Sequence, residues 1–384
     1  MFPPNDTIVL HIKWNPRQFE YNSRSGDIMD IWTILQFIFF FGLLIFIHEL
    51  GHMLVAKAVG IEVEEFGFGY PPKLAKLFTW KGTEFTLNWI PFGGFVRLKG
   101  EHESVDEPGG LLNAPKWKRF LVLIAGATMN FIFGIILLIV MFSVAGGQDT
   151  SKVMVAEVAP NSPAQAAGLE VGDVITRVGD YDIASFEDIS AATSKYLDIP
   201  VELTYERNGI SNTVELTPRS NPPENQGAMG VSITYPVISL PFGESVSQAF
   251  KTFWLQVKTT LLIPVNLIRG AISSADARIV GIKGIYDIFN NAAQMDQTSP
   301  VATGFPIYRL SVISMISIAV GITNLLPIPA LDGGQILFLA IEAITRKRIP
   351  EKVALLINNL FFYALILLMV FITIQDFRNP VLGP

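Results

Sequence analysis

The feature that most constrains this chain is a long uncharged apolar segment that ends in three ionisable residues. Residues 31–47 (IWTILQFIFFFGLLIFI) carry no charge, HELGH follows at 48–52, and MLVA at 53–56 continues the apolar run. A hydrocarbon core of ~30 Å needs ~20 apolar residues, so this segment is long enough to cross it. Ionisable side chains inside a membrane cost ~2.5–3.5 kcal/mol each and normally have a partner. Two histidines and a glutamate in one turn therefore predict a bound metal ion.

The composition is that of a membrane protein. The chain has 384 residues, of which 50% are hydrophobic and 16% charged, whereas soluble domains average ~25% charged residues. The net charge of −6 comes with no basic run, so we expect no nucleic-acid partner. The absence of cysteine excludes disulfides, thiolate zinc sites and cysteine nucleophiles.

Four segments are long and apolar enough to span a bilayer, namely residues 31–59, 120–145, 310–331 and 353–374. A fifth segment, residues 249–272, contains three basic residues and collects its apolar residues on one helical face. That pattern favours a helix lying in the membrane interface, although the sequence leaves open that it spans.

The orientation follows from the short loops. The loops between spans one and two and between spans three and four are rich in lysine and arginine, which places both in the cytoplasm. HELGH then lies at the cytoplasmic end of its span, and residues 150–305 face the other side. Residues 1–28 match no signal-peptide pattern. Met29 directly precedes the first span, so either the extension is translated or Met29 is the true initiator.

The motif HELGH has the spacing of a zinc site. His48 and His52 are four residues apart and share one helical face, and Glu49 beside them can act as a general base. A catalytic zinc needs a third protein ligand. The other two histidines are His11, predicted on the opposite side of the membrane, and His102, in a loop from which it could reach the site.

A carboxylate in the third span is the better third ligand. Its end reads NLLPIPALDGG (324–334), and Asp332 is the only acidic residue from 310 to 341. The two prolines break the helix, and Gly333 and Gly334 permit unusual dihedral angles. A broken helix at membrane depth is tolerated only against protein or a water-filled cavity. The alternative is that Asp332 caps a helix over 333–345; the incomplete ligand set favours a metal ligand.

HELGH in the first span with NLLPIPALDGG in a later one resembles the site-2 protease family, the zinc metalloproteases of regulated intramembrane proteolysis. The resemblance covers residues 29–378. It implies that His48, His52 and Asp332 bind zinc, that Glu49 is the general base, and that Asn324 positions the substrate near the scissile peptide.

Residues 82–99 (GTEFTLNWIPFGGFVRLK) alternate apolar and polar residues around a Pro-Phe-Gly-Gly turn, which predicts a β-hairpin. In the resembling proteins a hairpin here dips into the membrane and lends an edge strand to the substrate, so Gly93 and Gly94 are expected to position it. An ordinary cytoplasmic hairpin is the alternative.

Two shorter segments extend the resemblance. GATMN (126–130) resembles a G-x-x-x-N segment in which Gly126 allows close helix approach and Asn130 faces the site as a substrate-positioning residue; Ala127 stands where proline is frequent. GIKGI (281–285) resembles a G-P-x-G-I segment that docks near the membrane, with Ile282 in place of proline.

Residues 152–218 read as short strands and turns. AGL (167–169) followed by GDVI (172–175) resembles the ligand loop of PDZ domains of bacterial proteases, which implies that Gly168 and Leu169 line a peptide groove. Such a domain either binds the new carboxyl terminus of a pre-cut substrate or acts as a steric filter against uncut ectodomains. The sequence does not separate the two.

These observations predict a polytopic α-helical membrane protein with about four transmembrane helices, a membrane-associated β-hairpin and an inserted α+β PDZ domain. The expected divisions are an extension (1–28), the first half of a protease core (29–148), the PDZ domain (149–220), a linker with the interfacial helix (221–306), and the second half of the core (307–378).

The expected function is zinc-dependent cleavage of transmembrane segments in single-span proteins that an upstream site-1-type protease has already cut. Anti-sigma factors and remnant signal peptides are the substrate classes that the resemblance implies. The expected location is the inner (plasma) membrane, with the lipid bilayer as a partner. The alternatives are an inactive homologue that scaffolds membrane proteins, disfavoured by the intact HELGH and Asp332, and a transporter, disfavoured because no internal repeat is evident.

Overall fold

A computed structural model describes residues 31–101, 108–223, 226–271, 278–298 and 305–381. They form two compact units, one of which joins the residues up to Met141 with those from Val246 onward. The other unit is Phe142–Ser245. The extension 1–28 and two of the four histidines, His11 and His102, lie outside the described residues.

The described part of the chain contains nine α-helices: α1 (Ile31–Ala58), α2 (Lys116–Ala145), α3 (Pro163–Ala166), α4 (Phe186–Lys195), α5 (Phe242–Ile268), α6 (Ile282–Thr298), α7 (Ile307–Leu325), α8 (Asp332–Thr345) and α9 (Glu351–Arg378). Four of them, α1, α2, α7 and α9, are long and apolar enough to cross a membrane. The most apolar window of α9 buries none of its residues against the rest of the chain, as expected for a helix that faces lipid. These four helices confirm the expected polytopic membrane protein.

Helices α2 and α7 pack closely because small residues line their contact. The Ser317 hydroxyl donates to the Asn130 carbonyl oxygen at 2.8 Å, and the Ser314 hydroxyl donates to the Gly134 carbonyl oxygen at 2.9 Å. A Cβ on Gly134 would lie 2.7 Å from the Ile318 side chain. Close backbone approach through small residues is typical of packing between helices in membranes.

The third span ends six residues earlier than its sequence suggests. Helix α7 stops at Leu325 and α8 begins at Asp332, so the helix break expected from Pro327 and Pro329 is confirmed, and it precedes Asp332. The expectation of unusual dihedrals at Gly333 and Gly334 is wrong, because the positive φ (75°) of this segment belongs to Ala330.

The two glycines of the break are needed for close contact instead. A Cβ on Gly333 would lie 2.0 Å from the Leu326 carbonyl oxygen, and one on Gly334 would lie 2.4 Å from the Ile328 carbonyl oxygen. The start of α8 therefore packs directly against the backbone of the segment that breaks the helix.

A sheet of two long, bent strands follows α1: β1 (Val63–Trp80) and β2 (Thr83–Leu98). They meet at Lys81-Gly82, where both residues have positive φ, as a two-residue type I′ hairpin requires. The predicted hairpin around Pro-Phe-Gly-Gly is confirmed only in part: residues 84–87 and 94–98 run in opposite directions, so the chain reverses between them, but they do not pair with each other. They pair with opposite sides of residues 63–68, so residues 94–98 form an edge of the sheet.

The second unit is a β-structure with two short helices. Its strands are β3 (Gly147–Gln148), β4 (Val153–Val158), β5 (Val174–Val178), β6 (Tyr181–Asp182), β7 (Val201–Arg207), β8 (Ile210–Leu216), β9 (Val231–Thr234) and β10 (Val237–Ile238). The main sheet has the order β8-β7-β5-β4-β9 with β6 on β5, and β10 pairs with β3. Helix α4 begins with a capping box between Ser185 and Asp188.

This unit is longer than the predicted 149–220. Strand β9 pairs with β4, and the Arg219 backbone N–H donates to the Ala228 carbonyl oxygen at 2.9 Å. The first part of the predicted linker (221–306) therefore leads into β9 and so belongs to the same sheet. The sequence missed this because β9 has only four residues and follows a proline-rich turn.

Helix α6 is attached at both ends to apolar spans. The Asp376 carboxylate of α9 accepts from the backbone N–H of Gly281 at 2.8 Å and from Arg278 at 2.6 Å. At the other end of α6, the Asp296 carboxylate accepts from the Tyr308 N–H at 2.8 Å and from Arg309 at 2.7 Å. GIKGI thus forms the start of α6, where a Cβ on Gly281 would lie 2.8 Å from the Asp376 carboxylate.

Candidate metal centre

Three side chains from two helices converge on one point. His48 Nε2 lies 3.2 Å from His52 Nε2, and Asp332 Oδ2 lies 3.1 Å from the first and 3.3 Å from the second. Both histidines are on the inner face of α1, because residues four apart share a face, and Asp332 is the first residue of α8. The Asp332 backbone is helical and its side chain makes no cap, so the capping alternative is wrong.

The geometry of this triangle fits a tetrahedral zinc ion. Nitrogen and oxygen ligands bind zinc at ~2.0–2.1 Å, which separates the ligand atoms by ~3.3–3.4 Å at tetrahedral angles. Asp332 Oδ2 is buried and has no hydrogen-bond donor among the described residues. A buried carboxylate oxygen with no donor is costly; a cation bound by His48, His52 and Asp332 would satisfy this oxygen and both ring nitrogens.

Each histidine has a second partner on α2. His52 Nδ1 lies 2.8 Å from the Val122 carbonyl oxygen, which accepts a proton carried on that nitrogen. This leaves Nε2 as the ligand atom, the arrangement that metal-binding histidines usually adopt.

Asn130 lies behind His48. Its amide nitrogen is 3.2 Å from His48 Nδ1, while its amide oxygen is buried without a donor among the described residues. A histidine that binds metal through Nε2 carries its proton on Nδ1, and turning the Asn130 amide over lets its oxygen accept that proton. Asn130 has no exposed surface, so its position is that of a support for His48 and not of the expected substrate contact.

Glycine at two helix contacts makes room for the site. A Cβ on Gly126 of α2 would lie 2.4 Å from His52 Nε2 and 2.7 Å from His48 Nε2, and one on Gly51 of α1 would lie 2.5 Å from the Ala125 carbonyl oxygen. Neither position accepts a larger residue without moving a helix. Each helix thus contributes one glycine to the contact between α1 and α2.

Glu49 lies between the metal centre and the sheet. Its Oε2 accepts from the Val96 backbone N–H at 3.1 Å. A Cβ on Gly94 would lie 3.7 Å from Glu49 Cγ. Residues 94–98, the edge of the sheet, therefore run beside the candidate general base.

Two further residues, Gly93 and Asn324, were predicted to position the substrate. Gly93 has φ +87° with the Tyr70 ring packed where its Cβ would be, so glycine is needed there for the bend. Asn324 is half-buried on α7, one residue before the helix ends at Leu325.

The predicted groove residues belong to the second unit. Leu169 is 4% exposed in the core of that unit, and Arg207 donates to the Gly168 carbonyl oxygen at 2.9 Å. A buried side chain cannot line an open groove, so the expectation for Leu169 is wrong; the outer strands of the main sheet are β8 and β9.

The sequence did not indicate several groups that support the metal centre and the helices around it. The Val122 carbonyl and the Val96 N–H are backbone groups, which carry no residue-type signal. The Asn358 side chain accepts from the Ala330 N–H at 3.2 Å and so supports the break before Asp332. Arg119 pairs with the buried Glu342 at 2.8 Å, which ties the start of α2 to the end of α8.

The sequence comparisons agree with this geometry. Peptidase family M50 matches the chain over residues 36–369. Two clostridial relatives bear the name "Putative zinc metalloprotease". The relative from Clostridium acetobutylicum is 31% identical, over 92% of this chain and 99% of its own length. That from Clostridium perfringens is 33% identical, over 89% and 97%.

A third relative of the same description, from Campylobacter jejuni, is 32% identical over 87% of this chain and 90% of its own length. The family match spans most of the chain and includes both motifs of the metal centre. The chain therefore belongs to peptidase family M50, the site-2 proteases, and is a metalloprotease with zinc as its cofactor.

Proposed function

We propose that this metalloprotease is an intramembrane endopeptidase that cuts transmembrane segments of single-span membrane proteins. The observation that carries the proposal is the triangle of His48, His52 and Asp332 with Glu49 beside it, because α1, which provides three of these residues, is apolar enough to span a membrane. A soluble substrate would not need a site on such a helix.

The proposed roles follow from the contacts. His48, His52 and Asp332 hold zinc, which when bound polarises a carbonyl and acidifies a water molecule. Glu49 takes the proton of the attacking water and delivers it to the leaving amine nitrogen. Val122 and Asn130 keep the two imidazoles in the tautomer that presents Nε2.

The substrate must become extended before its peptide bond is accessible. Residues 94–98 pair with another strand on one side only and run beside Glu49. Addition of a substrate strand to this edge would hold the peptide extended. Asn324 is proposed to bind the substrate backbone. The bend at Gly93 directs the edge strand towards Glu49.

We further propose that the second unit is a PDZ-type module that selects pre-cut substrates. Its support is a main sheet with two outer strands, together with two short helices, in about the length of one such domain. Acting as a size filter, it would reject substrates that retain a folded ectodomain. Matched substrates with and without a folded ectodomain test this: the shortened one should be cut faster, and equal rates would exclude a filter.

The proposed setting is the inner (plasma) membrane, with the metal centre near the cytoplasmic side and the second unit opposite. An upstream site-1-type protease would cut first, and anti-sigma factors or remnant signal peptides would be the substrates. The basic loops support this orientation. Mass spectrometry of membrane peptides that accumulate in cells with Glu49→Gln would identify the substrates.

The central test uses the purified protein in detergent with a synthetic transmembrane peptide. Glu49→Gln should retain zinc and lose about 100- to 10,000-fold in cleavage rate, because it removes the proton carrier but no metal ligand. Asp332→Asn should lower bound zinc, whereas Asp182→Asn, an exposed carboxylate of the second unit, should not. Full cleavage by Glu49→Gln would refute the assignment, and a wild type unable to cut would favour the scaffold alternative.

A further inference from the structure

The edge strand at residues 94–98 has two sides with different partners. Lys99 N–H donates to the Glu62 carbonyl oxygen at 3.0 Å, so the odd-numbered residues direct their backbone groups towards β1. Val96 N–H donates to Glu49 Oε2 at 3.1 Å. Because backbone groups alternate along an antiparallel strand, Val96 directs both its N–H and its C=O away from β1, towards α1.

Glu49 depends on this one amide. It is the only hydrogen-bond donor to the Glu49 carboxylate among the described residues. A glutamate side chain has several rotatable bonds, and the entropy of holding it in one rotamer must be offset by a specific contact. A hydrogen bond from an N–H to a carboxylate is stronger than one between neutral groups.

We propose that the backbone amide of Val96 is a positioning group for the general base. It holds Glu49 Oε2, so that Oε1 is the oxygen that takes the proton of the attacking water and returns it to the leaving nitrogen. This inference rests on the role of Glu49 in the proposed function and deepens it.

The arrangement gives the sheet edge two tasks. The Val96 carbonyl points the same way as its N–H and can accept from the N–H of an added substrate strand. The Val96 N–H, in contrast, donates to Glu49 and does not bind the substrate. Val96 therefore contacts both the substrate strand and the general base. A shift of the edge strand would move Glu49 and change the turnover rate even when the substrate binds normally.

The test removes one backbone hydrogen-bond donor from the full-length protein. An ester in place of the amide at residue 96, made by incorporating the α-hydroxy analogue of valine, deletes the N–H and keeps the side chain. Val96→Pro deletes the same N–H by ordinary mutagenesis, and proline is tolerated on the outer side of an edge strand. The same ester at Val171, an exposed valine of the second unit, is the matched control. For each protein, kcat and KM are measured on a synthetic transmembrane peptide, together with bound zinc and thermal unfolding.

The ester at residue 96 should lower kcat by about 10- to 100-fold, with KM within about twofold, unchanged zinc and an unchanged unfolding temperature. The ester at Val171 should keep the wild-type kcat. A raised KM with normal kcat would assign the amide to the substrate strand and overturn the proposal. Loss of zinc or of folding in the ester variant would also overturn it, since the contact would then be structural. If Glu49→Gln itself cuts normally, the proposed function fails; if Glu49→Gln is inactive and the ester variant has normal kcat, only this inference fails.

Discussion

Gly126 of α2 faces His52 of α1 so closely that a Cβ on Gly126 would lie 2.4 Å from His52 Nε2. The same atom would lie 2.7 Å from His48 Nε2, in the region where the two ligand nitrogens and Asp332 converge. The space that a metal needs is thus kept open by the absence of a side chain on a neighbouring helix.

Gly126→Ala should therefore remove zinc. Its methyl group would collide with both ligand nitrogens, and relief requires moving α1 away from α2. We expect zinc affinity to fall by at least ~100-fold, measured by metal analysis after dialysis against chelator. Gly42→Ala is the control, since nothing lies within 4 Å of a Cβ at Gly42. Wild-type zinc content in Gly126→Ala would contradict the site.

Asn130→Ala should weaken zinc binding through His48. The substitution deletes the partner of His48 Nδ1, and loss of such a partner lowers metal affinity by ~10–100-fold. Thr128→Ala, on the exposed side of the same helix, should bind zinc normally. Normal zinc affinity with a raised KM would instead make Asn130 a substrate contact.

Asp376→Ala should destabilise the membrane-embedded unit. It leaves Arg278 and the backbone N–H groups of Gly281 and Gly284 without their carboxylate, and breaking a buried pair costs ~3–5 kcal/mol. Unfolding in mixed detergent micelles measures this. Asp287→Ala, which removes a partly exposed i,i+4 pair with Lys283, should cost less than ~1 kcal/mol; equal effects would argue against the Asp376 anchor.

The second unit should lose stability in acid through Asp173. Burial alone would raise the pKa of this carboxyl, but hydrogen bonds from Arg207 and from the Glu170 backbone N–H hold the pKa below its usual value. The folded pKa lies below the unfolded value of ~3.9, so this stabilisation is complete above about pH 5 and disappears as the pH falls through the folded pKa.

Hydrogen exchange of peptides from residues 142–245, corrected for intrinsic rates, measures this loss between pH 7 and pH 3. In Asp173→Asn the dependence on pH should be weaker, and Asp182→Asn, whose carboxylate is exposed, serves as the control. An identical acid response in Asp173→Asn would exclude this carboxyl as its source.

Prediction from the sequence succeeded where the signal is local. Uncharged runs identify α1, α2, α7 and α9, and proline marks the break between α7 and α8, because hydropathy and backbone restriction act within a few residues. The association of HELGH with Asp332 came from the incomplete ligand count and the family resemblance.

Prediction failed where pairing between distant residues decides the outcome. The chain does reverse around Pro-Phe-Gly-Gly, yet the two flanking segments do not form the predicted hairpin, because each of them pairs with residues 63–68 instead. Leu169 has the surroundings of a ligand loop but lies in the core. Strand register depends on every contact along the strand and not on its turn residues alone.

By itself, the sequence determined the class of this protein: four apolar helices, one of them with a metal-binding pair and a base, and a carboxylate beside a helix break. Only the tertiary structure decided that Asp332 reaches within 3.1 Å of His48, that Gly126 leaves the space for a metal, and that Val96 holds Glu49. Helix formation and membrane insertion depend on neighbours along the chain. These contacts join residues up to 284 positions apart (332 minus 48), and such distances are set only when all helices pack together.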